Sequence, residues 1–317
     1  QPYIARKRTL DGFFKSKGFK PNLEVSLEDV SNHATYPHPN PRVPPLLSEA
    51  LSFSSASEGR VINDHPDISL VYYQPYINRE ASNELFNFHR NNLFFYRVIY
   101  NIKRGPVETT INTPRFTTVF GVDATSMFSS EGSLIDSVTK QPISADRYKC
   151  KPRPNPACLD KLQELTEGST DETYNLCLVN YYASGSDSIS YHSDNERFLG
   201  QNPAIASFSL GVARGFLMKH KPIAPGDAVA TAVNANPLKF SLMSGDMLLM
   251  RSKTQSNWLH SVPKRKAESI GNGRINITFR KAMVRGGTEN YYKYNVGSVL
   301  ASRWDAERKE MVPLAVK

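Results

Sequence analysis

The sequence predicts a mainly β protein of the α+β class, in which a double-stranded β-helix, or jelly roll, follows two helices. Many short strand-like segments separated by Gly and Asp follow residue 173, which is typical of sandwiches and barrels rather than parallel sheets. Two segments before them place apolar residues at helical spacing. A hydrophobic fraction of 39% supports a core, and no apolar run approaches the ~20 residues that cross a bilayer, which excludes a membrane-spanning protein.

Charge and cysteine content narrow the range of possible partners and metal sites. The 317 residues include 39 Lys and Arg against 30 Asp and Glu, a formal charge of +9 that fits a polyanionic partner as well as simple solubility. Three cysteines without CxxC spacing argue against a disulfide framework and a thiolate zinc site. We therefore expect a soluble intracellular monomer in which His and carboxylates hold any transition metal.

Residues 1–60 predict a disordered basic arm, because they are rich in Pro, Ser, Asn and His and lack sustained periodicity. Within "KRTLDGFF", Leu10, Phe13 and Phe14 lie at one-turn spacing and form an apolar knob on a short helical turn. The knob resembles the box with which replication and repair proteins bind the sliding clamp, with Lys7 where that box prefers Gln. A chance amphipathic turn explains it equally well.

The folded part is expected to begin at residue 68. "ISLVYYQPYI" predicts a strand, "NREASNELFNFHRNNL" an amphipathic helix, and "PRFTTVFG" a strand that ends at Gly121. A long loop-rich passage follows, and loops of this length inside a domain are commonly functional. "ACLDKLQELTEG" predicts a second helix, which Gly168 ends. We assign residues 68–175 to an N-terminal extension of the domain.

The jelly-roll core is predicted over residues 176–282, and residues 283–317 form a C-terminal extension without a predicted role. The strand-like segments are "YNLCLVNYY", "SISYHSD", "AIASFSLG", "RGFLMKHK", "KFSLMSGDMLLMRS", "NWLHSV" and "RINITFRKA".

Two of these strands carry candidate metal ligands. In "SYHSDNE", His192 and Asp194 stand two residues apart, which puts both side chains on one face of a strand. Alone, such a pair is usually ordinary surface. His260 lies in "NWLHSVP" between apolar neighbours, where a histidine is more often a core residue than a ligand.

The last predicted strand, "RINITFR", has one apolar and one polar face. Arg274, Asn276, Thr278 and Arg280 share the polar face. Two arginines on the inner wall of a small barrel require an anionic partner, because a buried guanidinium needs a carboxylate or phosphate. The alternative is an exposed sheet face with two solvated arginines.

The order of these motifs resembles the AlkB family of Fe(II)- and 2-oxoglutarate-dependent dioxygenases. The family also has an Asn-x-Tyr strand before the HxD motif, and "VNYY" supplies Asn180 and Tyr182 at the matching place. The resemblance runs from about Pro114 to Lys281 and is clear from Asn180 onward. "HSDNERF", "IASFSLG", "KHK" and "RINITFRK" look most like the eukaryotic homologues that repair duplex DNA.

The resemblance implies the cofactors and the fold. His192, Asp194 and His260 would form a facial triad on Fe(II) that leaves three positions for 2-oxoglutarate and O2. It also implies a nucleotide-recognition lid within residues 68–175. The family hydroxylates an N-alkyl group of a damaged base, which then separates into the repaired base and an aldehyde.

The resemblance further implies the cosubstrate contacts. Arg274 and Tyr182 would hold the distal carboxylate of 2-oxoglutarate, while Asn180 and Arg280 would lie near the carboxylate that chelates iron. Arginine suits these places because its planar fork binds carboxylates bidentately. The remaining polar-face residues, Asn276 and Thr278, are expected to complete the cosubstrate site.

A base inside a duplex must be flipped out before it can reach an enclosed iron. In the resembled branch an apolar finger fills the gap, and its match here is "VFG", with Val119, Phe120 and Gly121. Phe120 would be the wedge. The competing interpretation is a core phenylalanine at a strand end.

Other residues are candidates for substrate recognition. Glu196 corresponds to an acidic residue that faces the flipped base in relatives, and Asn195 departs from the acid often found beside it. Tyr148 is the candidate lid aromatic that stacks the base, with Phe128 as the alternative. Either aromatic is equally compatible with ordinary packing.

The stretch "MKHK" matches a segment that contacts the DNA backbone, through Lys219 and Lys221, and phosphate contacts position rather than specify. A solvated basic strand end explains it equally well.

The sequence therefore predicts oxidative demethylation of bases of the 1-methyladenine and 3-methylcytosine type, in duplex DNA. The alternatives are an RNA or single-strand demethylase of the same family, and a non-catalytic nucleic-acid-binding module. The expected partners are alkylated DNA and, through the arm, the sliding clamp. A nuclear location follows from the basic arm and the substrate.

Overall fold

The computed structural model describes residues 30–52, 57–222, 237–266, 273–296 and 299–314. The predicted clamp-binding residues lie outside these ranges. No helix within them is long and apolar enough to cross a membrane.

Most of the described chain is strand. The strands are β1 (Val30–Ser31), β2 (Asn40–Pro41), β3 (Arg60–Ile62), β4 (Leu70–Tyr73), β5 (Phe95–Tyr96), β6 (Ile99–Arg104), β7 (Val107–Asn112), β8 (Phe116–Gly121), β9 (Ser126–Phe128), β10 (Leu134–Asp136), β11 (Leu176–Tyr182), β12 (Ile189–His192), β13 (Ile205–Gly211), β14 (Arg214–His220), β15 (Leu238–Leu242), β16 (Met247–Met250), β17 (Trp258–Val262), β18 (Arg274–Arg280), β19 (Ala301–Asp305) and β20 (Glu310–Pro313). The helices are α1 (Pro45–Ser52), α2 (Arg79–Asn92), α3 (Ala157–Thr170), α4 (Thr254–Asn257) and α5 (Gly287–Asn295), with a 3-10 turn at Arg197–Leu199.

Two antiparallel sheets build the domain. A ten-stranded sheet has the order β20-β19-β5-β8-β11-β18-β13-β16-β4-β3, and a four-stranded sheet has the order β12-β17-β14-β15. The predicted mainly β, jelly-roll fold is therefore confirmed, and the two predicted helices before it are α2 and α3. The nucleotide-recognition lid stays a prediction; within residues 68–175 the chain also forms two separate two-stranded sheets, β6-β7 and β9-β10.

The strand β18 lies in the middle of the large sheet, between β11 and β13, and all of its residues are buried. Ile275, Ile277 and Phe279 pack in the main apolar cluster, together with side chains of α2 and α3. The opposite face carries Arg274 and Arg280, each only 2% exposed. The interpretation of an exposed sheet face with solvated arginines is therefore wrong.

The predicted disordered arm is too long. Residues 30–52 are folded: β1 pairs with β2, and Leu47 and Leu51 of α1 are buried in the main cluster. Tyr36 packs in the same cluster and donates a hydrogen bond to Pro154 O at 2.6 Å. Local composition missed this segment because its few apolar residues are ordered by distant helices.

The fold continues past residue 282, where the dioxygenase domain is predicted to end. β19 pairs with β5 through Ala301 and Tyr96, so β19 and β20 extend the large sheet. The helix α5 lies between the jelly-roll core and these strands in the chain. The residues to 314 therefore belong to the fold.

If α1 is part of the core, Leu51→Ala should lower the free energy of unfolding by about 2–5 kcal/mol, because it leaves a cavity among buried side chains. The exposed Glu49 on the same helix is the matched control, and Glu49→Ala should change stability by less than about 0.5 kcal/mol. Urea denaturation of both variants measures this. Equal, small effects would show that residues 30–52 do not contribute to the core.

Candidate active site

A cluster of two histidines and one aspartate lies at the small sheet. His192 ends β12 and pairs across the ladder with His260 of β17, and their ring centroids are 4.2 Å apart. The carboxylate oxygens of Asp194 lie 3.9 Å from His192 Nε2 and 3.6 Å from His260 Nε2. One ligand atom from each residue falls within 4.8 Å of the others. In the described part of the chain, no other three His, Cys, Asp or Glu side chains meet this condition.

The surroundings favour the protonation states that bind metal. His260 is buried, and burial lowers its pKa to about 3, so the imidazole is neutral at physiological pH. Burial raises the pKa of Asp194, but Arg280, His260 and His192 together outweigh it and hold that pKa below its ordinary value. The cluster thus offers two imidazoles and an ionised carboxylate.

Neighbouring residues fix the orientation of the ligands. The ring of Phe216 stacks on His260 with centroids 5.2 Å apart. Asp194 N donates to Gln255 Oε1 at 2.9 Å, and Gln255 itself is buried in α4. Such supporting contacts hold metal ligands in place before metal arrives.

The strand β18 carries two buried arginines, of which Arg280 contacts the cluster. Arg280 Nη2 contacts Asp194 Oδ2 at 3.1 Å, and Arg274 Nη2 donates to Ser209 Oγ at 2.8 Å. The Nε and Nη1 atoms of both arginines are buried and have no protein partner. Burial lowers the pKa of Arg274 to about 10, so it stays charged at neutral pH. Four unpartnered guanidinium nitrogens in the interior fit a carboxylate ligand.

The other predicted cosubstrate residues adjoin these arginines. The Arg274 guanidinium carbon lies 5.4 Å from the Tyr182 ring centroid. Asn276 donates to Ser207 Oγ and Phe208 O, and Thr278 donates to Leu178 O. These donors are therefore used within the sheet, and Asn276 and Thr278 contribute mainly wall surface.

A cavity of about 720 Å³ joins the metal cluster to the arginine wall. Its size is that of a site for small molecules, which span roughly 300–1,000 Å³. The predicted residues that line it are Asn180, Tyr182, His192, Asp194, Asn195, Glu196, His260, Asn276, Thr278 and Arg280. Arg274 lies behind Tyr182.

The two candidate base-recognition residues lie at the edge of this cavity, in the turn after Asp194. Asn195 is exposed, and Glu196 is half-buried with Oε2 lacking a protein partner. Burial and the nearby Asp194 raise the pKa of Glu196, against the opposing effect of Arg280.

The predicted lid aromatics are elsewhere. Tyr148 is 5% exposed and its hydroxyl donates to Asp123 Oδ2 and Ser126 Oγ, both at 2.9 Å. Phe128, on the β9–β10 hairpin, packs edge-on against His33 at 6.0 Å. Neither lines the cavity, because the long loop folds on itself through its own polar contacts.

The predicted wedge is also wrong. Phe120 is fully buried in β8 and packs edge-on against Phe94 and Tyr36 in the main cluster. Val119 is equally buried. Gly121 has φ +102°, and a Cβ there would fall 2.0 Å from a backbone oxygen, so this glycine serves a close backbone approach. The core-phenylalanine interpretation is the one that the structure supports.

The two lysines predicted to contact the DNA backbone differ in the contacts of their ammonium groups. Lys221 Nζ donates to Gln255 O and Ser256 O, so its ammonium is engaged within the protein. Lys219 is exposed, and its Nζ lies 4.2 Å from the Tyr191 ring centroid. Only Lys219 of this pair presents its charge to solvent.

Sequence reasoning missed several cavity residues. Arg115 donates from Nε to Asn180 Oδ1 at 3.1 Å and lines the cavity together with Arg197 and Arg280. Its place directly before β8 gives no local signal of this role. Tyr291 and Asn295, from α5, lie more than ten residues beyond the last motif.

A family model described as the 2OG-Fe(II) oxygenase superfamily matches residues 69–280, more than half of the chain. The chain belongs to the 2OG-Fe(II) oxygenase superfamily. Members of the 2OG-Fe(II) oxygenase superfamily use Fe(II), 2-oxoglutarate and O2, so the predicted cofactors and enzyme class are confirmed.

Several superfamily relatives are AlkB homologues, which confirms the resemblance. The chain is 35% identical over 136 residues to human DNA oxidative demethylase ALKBH2, covering 42% of this chain and 49% of the relative. It is 38% identical over 130 residues to mouse alpha-ketoglutarate-dependent dioxygenase alkB homolog 3, covering 40% and 44%. For Arabidopsis thaliana DNA oxidative demethylase ALKBH2 the identity is 37% over 136 residues, covering 38% and 41%. The chain spans about half or less of the length of these relatives.

A solved structure, that of OsALKBH1, has a TM-score of 0.39 and 16% identity with this protein, covering 70% of this chain and all of that one. This likeness is too low to locate residues of the site.

The residues present fit the superfamily's cofactors. Two imidazoles and one carboxylate are the donor set of a non-haem Fe(II) centre with open positions. The unpartnered nitrogens of Arg274 and Arg280 fit the two carboxylates of 2-oxoglutarate. When bound, iron with 2-oxoglutarate and O2 supplies an oxidation that inserts oxygen into a C–H bond.

Mn(II) serves as an O2-stable substitute for Fe(II). We expect His260→Ala to weaken Mn(II) binding by more than about hundredfold, because replacing a residue that only supports a metal ligand already lowers metal affinity by about 10–100-fold. His220→Ala is the matched control, because His220 lies on the adjacent strand with Nε2 facing Asp67 rather than the cluster. Titration followed by electron paramagnetic resonance measures free Mn(II). Retained binding in His260→Ala, or equal losses in both variants, would contradict the assignment.

Proposed function

We propose that this protein oxidatively demethylates N-alkylated bases in DNA. The observation that carries the proposal is one cavity lined by the His192–Asp194–His260 cluster and the buried Arg280, with the buried Arg274 next to the lining residue Tyr182. The names of the human and Arabidopsis relatives, DNA oxidative demethylase, support the substrate class.

Within this proposal, His192, Asp194 and His260 hold the iron. Arg280 and Asn180 bind the end of 2-oxoglutarate next to iron, because Arg280 already contacts Asp194. Arg274 and Tyr182 bind the far carboxylate. The charges of Arg274 and Arg280 offset the two carboxylates, so the dianion is bound without leaving an unpaired charge in the interior.

In the overall reaction, 2-oxoglutarate and O2 become succinate and CO2, and one oxygen atom enters the N-methyl C–H bond. The resulting N–CH2OH group releases formaldehyde and a proton, and the ring nitrogen of the repaired base regains its lone pair. The protein's own side chains hold the iron, the cosubstrate and the base in position.

The base-binding end of the cavity has the polar groups that a flipped base needs. Asn195 supplies a carboxamide and Glu196 a carboxyl, both near His192 in sequence and all three lining the cavity. Hydrogen bonds of this kind read the polar edge of a base. Arg197 is exposed at the same rim, where it suits a phosphate, and the net charge of +9 favours a polyanion.

We infer duplex DNA as the preferred substrate, on the similarity of "HSDNERF" and "KHK" to the duplex-repairing branch. A residue other than Phe120 must then fill the gap left by the flipped base. Single strands and RNA are the alternatives, and a nuclear location follows from a genomic substrate.

With Fe(II), 2-oxoglutarate and ascorbate, the protein should release formaldehyde from a duplex that carries 1-methyladenine and should restore adenine in that duplex. His192→Ala should abolish both, since it removes an iron ligand. Turnover of methylated single strands or RNA, with none of the duplex, would overturn the duplex inference. No 2-oxoglutarate consumption with any methylated nucleic acid would overturn the demethylase and favour a binding module.

We also propose that the N-terminal segment binds a sliding clamp through Leu10, Phe13 and Phe14. The full chain should bind purified clamp in a calorimetric titration, and the Phe13→Ala/Phe14→Ala double variant should bind at least about tenfold more weakly, because aromatic anchors dominate such contacts. If the unaltered chain does not bind the clamp, the proposal is wrong.

A further inference from the structure

Part of the active-site cavity is built from a segment that the family model does not match. That model ends at Arg280, but the cavity lining continues with Val284, Gly287, Tyr291 and Asn295. The last three belong to α5. One wall of the site therefore comes from the C-terminal residues of this chain.

The helix α5 is fastened to β8 and to the turn that follows the metal ligand Asp194. Met283 N donates to Phe198 O at 2.6 Å, just before the helix begins. At its start, a Cβ on Gly287 would fall 2.1 Å from Phe198 Cβ, so the backbone approaches this ring as closely as glycine allows. At its end, Thr117 Oγ1 donates to Asn295 O at 2.6 Å. These contacts hold α5 between β8 and the turn that follows Asp194.

From this helix, Tyr291 faces the cavity and contacts Arg280. The tyrosine is 9% exposed, and its ring packs edge-on against Phe198 with centroids 5.6 Å apart. The Arg280 guanidinium carbon lies 5.1 Å from the Tyr291 ring centroid. The guanidinium of Arg280 therefore has an aromatic ring as one neighbour and the Asp194 carboxylate as another.

The rest of the guanidinium has few restraints within the protein. Arg280 Nε and Nη1 have no hydrogen-bond partner, so these two donors do not fix its orientation. A flat cation held against a ring face keeps its plane and its position. Tyr291 is placed to supply that restraint while leaving the two unpaired nitrogens to a ligand.

We propose that Tyr291 is a positioning residue, which holds Arg280 ready for the iron-proximal carboxylate of 2-oxoglutarate and makes α5 a working part of the cosubstrate site. The inference rests on the proposed role of Arg280. Tyr291 acts on cosubstrate affinity through Arg280. Its ring contacts Phe198 and Arg280.

The test compares 2-oxoglutarate binding, by calorimetric titration of the Mn(II)-loaded full chain, among variants of α5. Tyr291→Leu should bind about five- to thirtyfold more weakly, since the ring face is lost. Tyr291→Phe keeps the face and should restore most of the affinity. Lys293→Ala, an exposed position on the same helix, is the matched control and should bind like the unaltered chain.

A steady-state assay gives a second readout. In Tyr291→Leu, the KM for 2-oxoglutarate should rise, while kcat at saturating cosubstrate should stay within about twofold, because positioning acts on binding. Should Tyr291→Leu fail to fold, Tyr291→Met takes its place.

Unchanged affinity in the folded Leu or Met variant would overturn the proposal, and so would an equal loss in Tyr291→Phe, which would assign the effect to the hydroxyl. Arg280→Met distinguishes a failure of the proposed cosubstrate site from a failure of the proposed role of Tyr291. If Arg280→Met binds 2-oxoglutarate normally, the proposed cosubstrate site fails, and the role of Tyr291 fails with it. If only Arg280→Met weakens binding, the site stands and Tyr291 alone is refuted.

Discussion

Two guanidinium groups are buried in the middle of this domain, each with two of its three nitrogens unpaired. Nε and Nη1 of Arg274 and Arg280 have no protein partner, although both side chains are almost fully enclosed. Moving a charged group from water into the protein interior costs about several kcal/mol per ion unless a counter-charge replaces the lost solvent. The apolar half of β18 and the helices packed on it must offset that cost. An anionic ligand then restores the pairing that the chain leaves incomplete.

The sheet register converts this constraint into a site. β11 and β18 pair so that Tyr182 lies opposite Arg274 and Asn180 opposite Asn276, while His192 lies opposite His260 in the small sheet. A slip of one residue would turn each of these side chains to the opposite face. The same pairing that places Ile277 in the core therefore places Arg280 at the cavity and Arg274 beside the cavity residue Tyr182, so fold and site are specified together.

Much of this could be predicted from sequence, because it depends on local alternation and on spacing along single strands. The two faces of β18 and the shared side of His192 and Asp194 follow from such patterns, whereas His260 joins them only through the resemblance to the AlkB family. Phe120 and Tyr148 could not be assigned in this way. Phe120 is buried by Tyr36 and Phe94, and Tyr36 comes from a segment whose composition resembles disorder. Their environments are made by contacts between distant parts of the chain, which no local pattern reports.

The same reason applies to Tyr291, whose role depends on α5 folding back across Phe198 after the last motif.

The most direct test of the account is to replace Arg274 with methionine and compare the stability and the 2-oxoglutarate affinity of the Mn(II)-loaded chain with those of the unaltered protein. We expect Arg274→Met to be as stable as the unaltered protein or more so, since a half-paired buried charge is removed, and to bind 2-oxoglutarate at least about tenfold more weakly. Unchanged affinity, or a marked loss of stability, would contradict the claim that this arginine is buried for a ligand rather than for the fold.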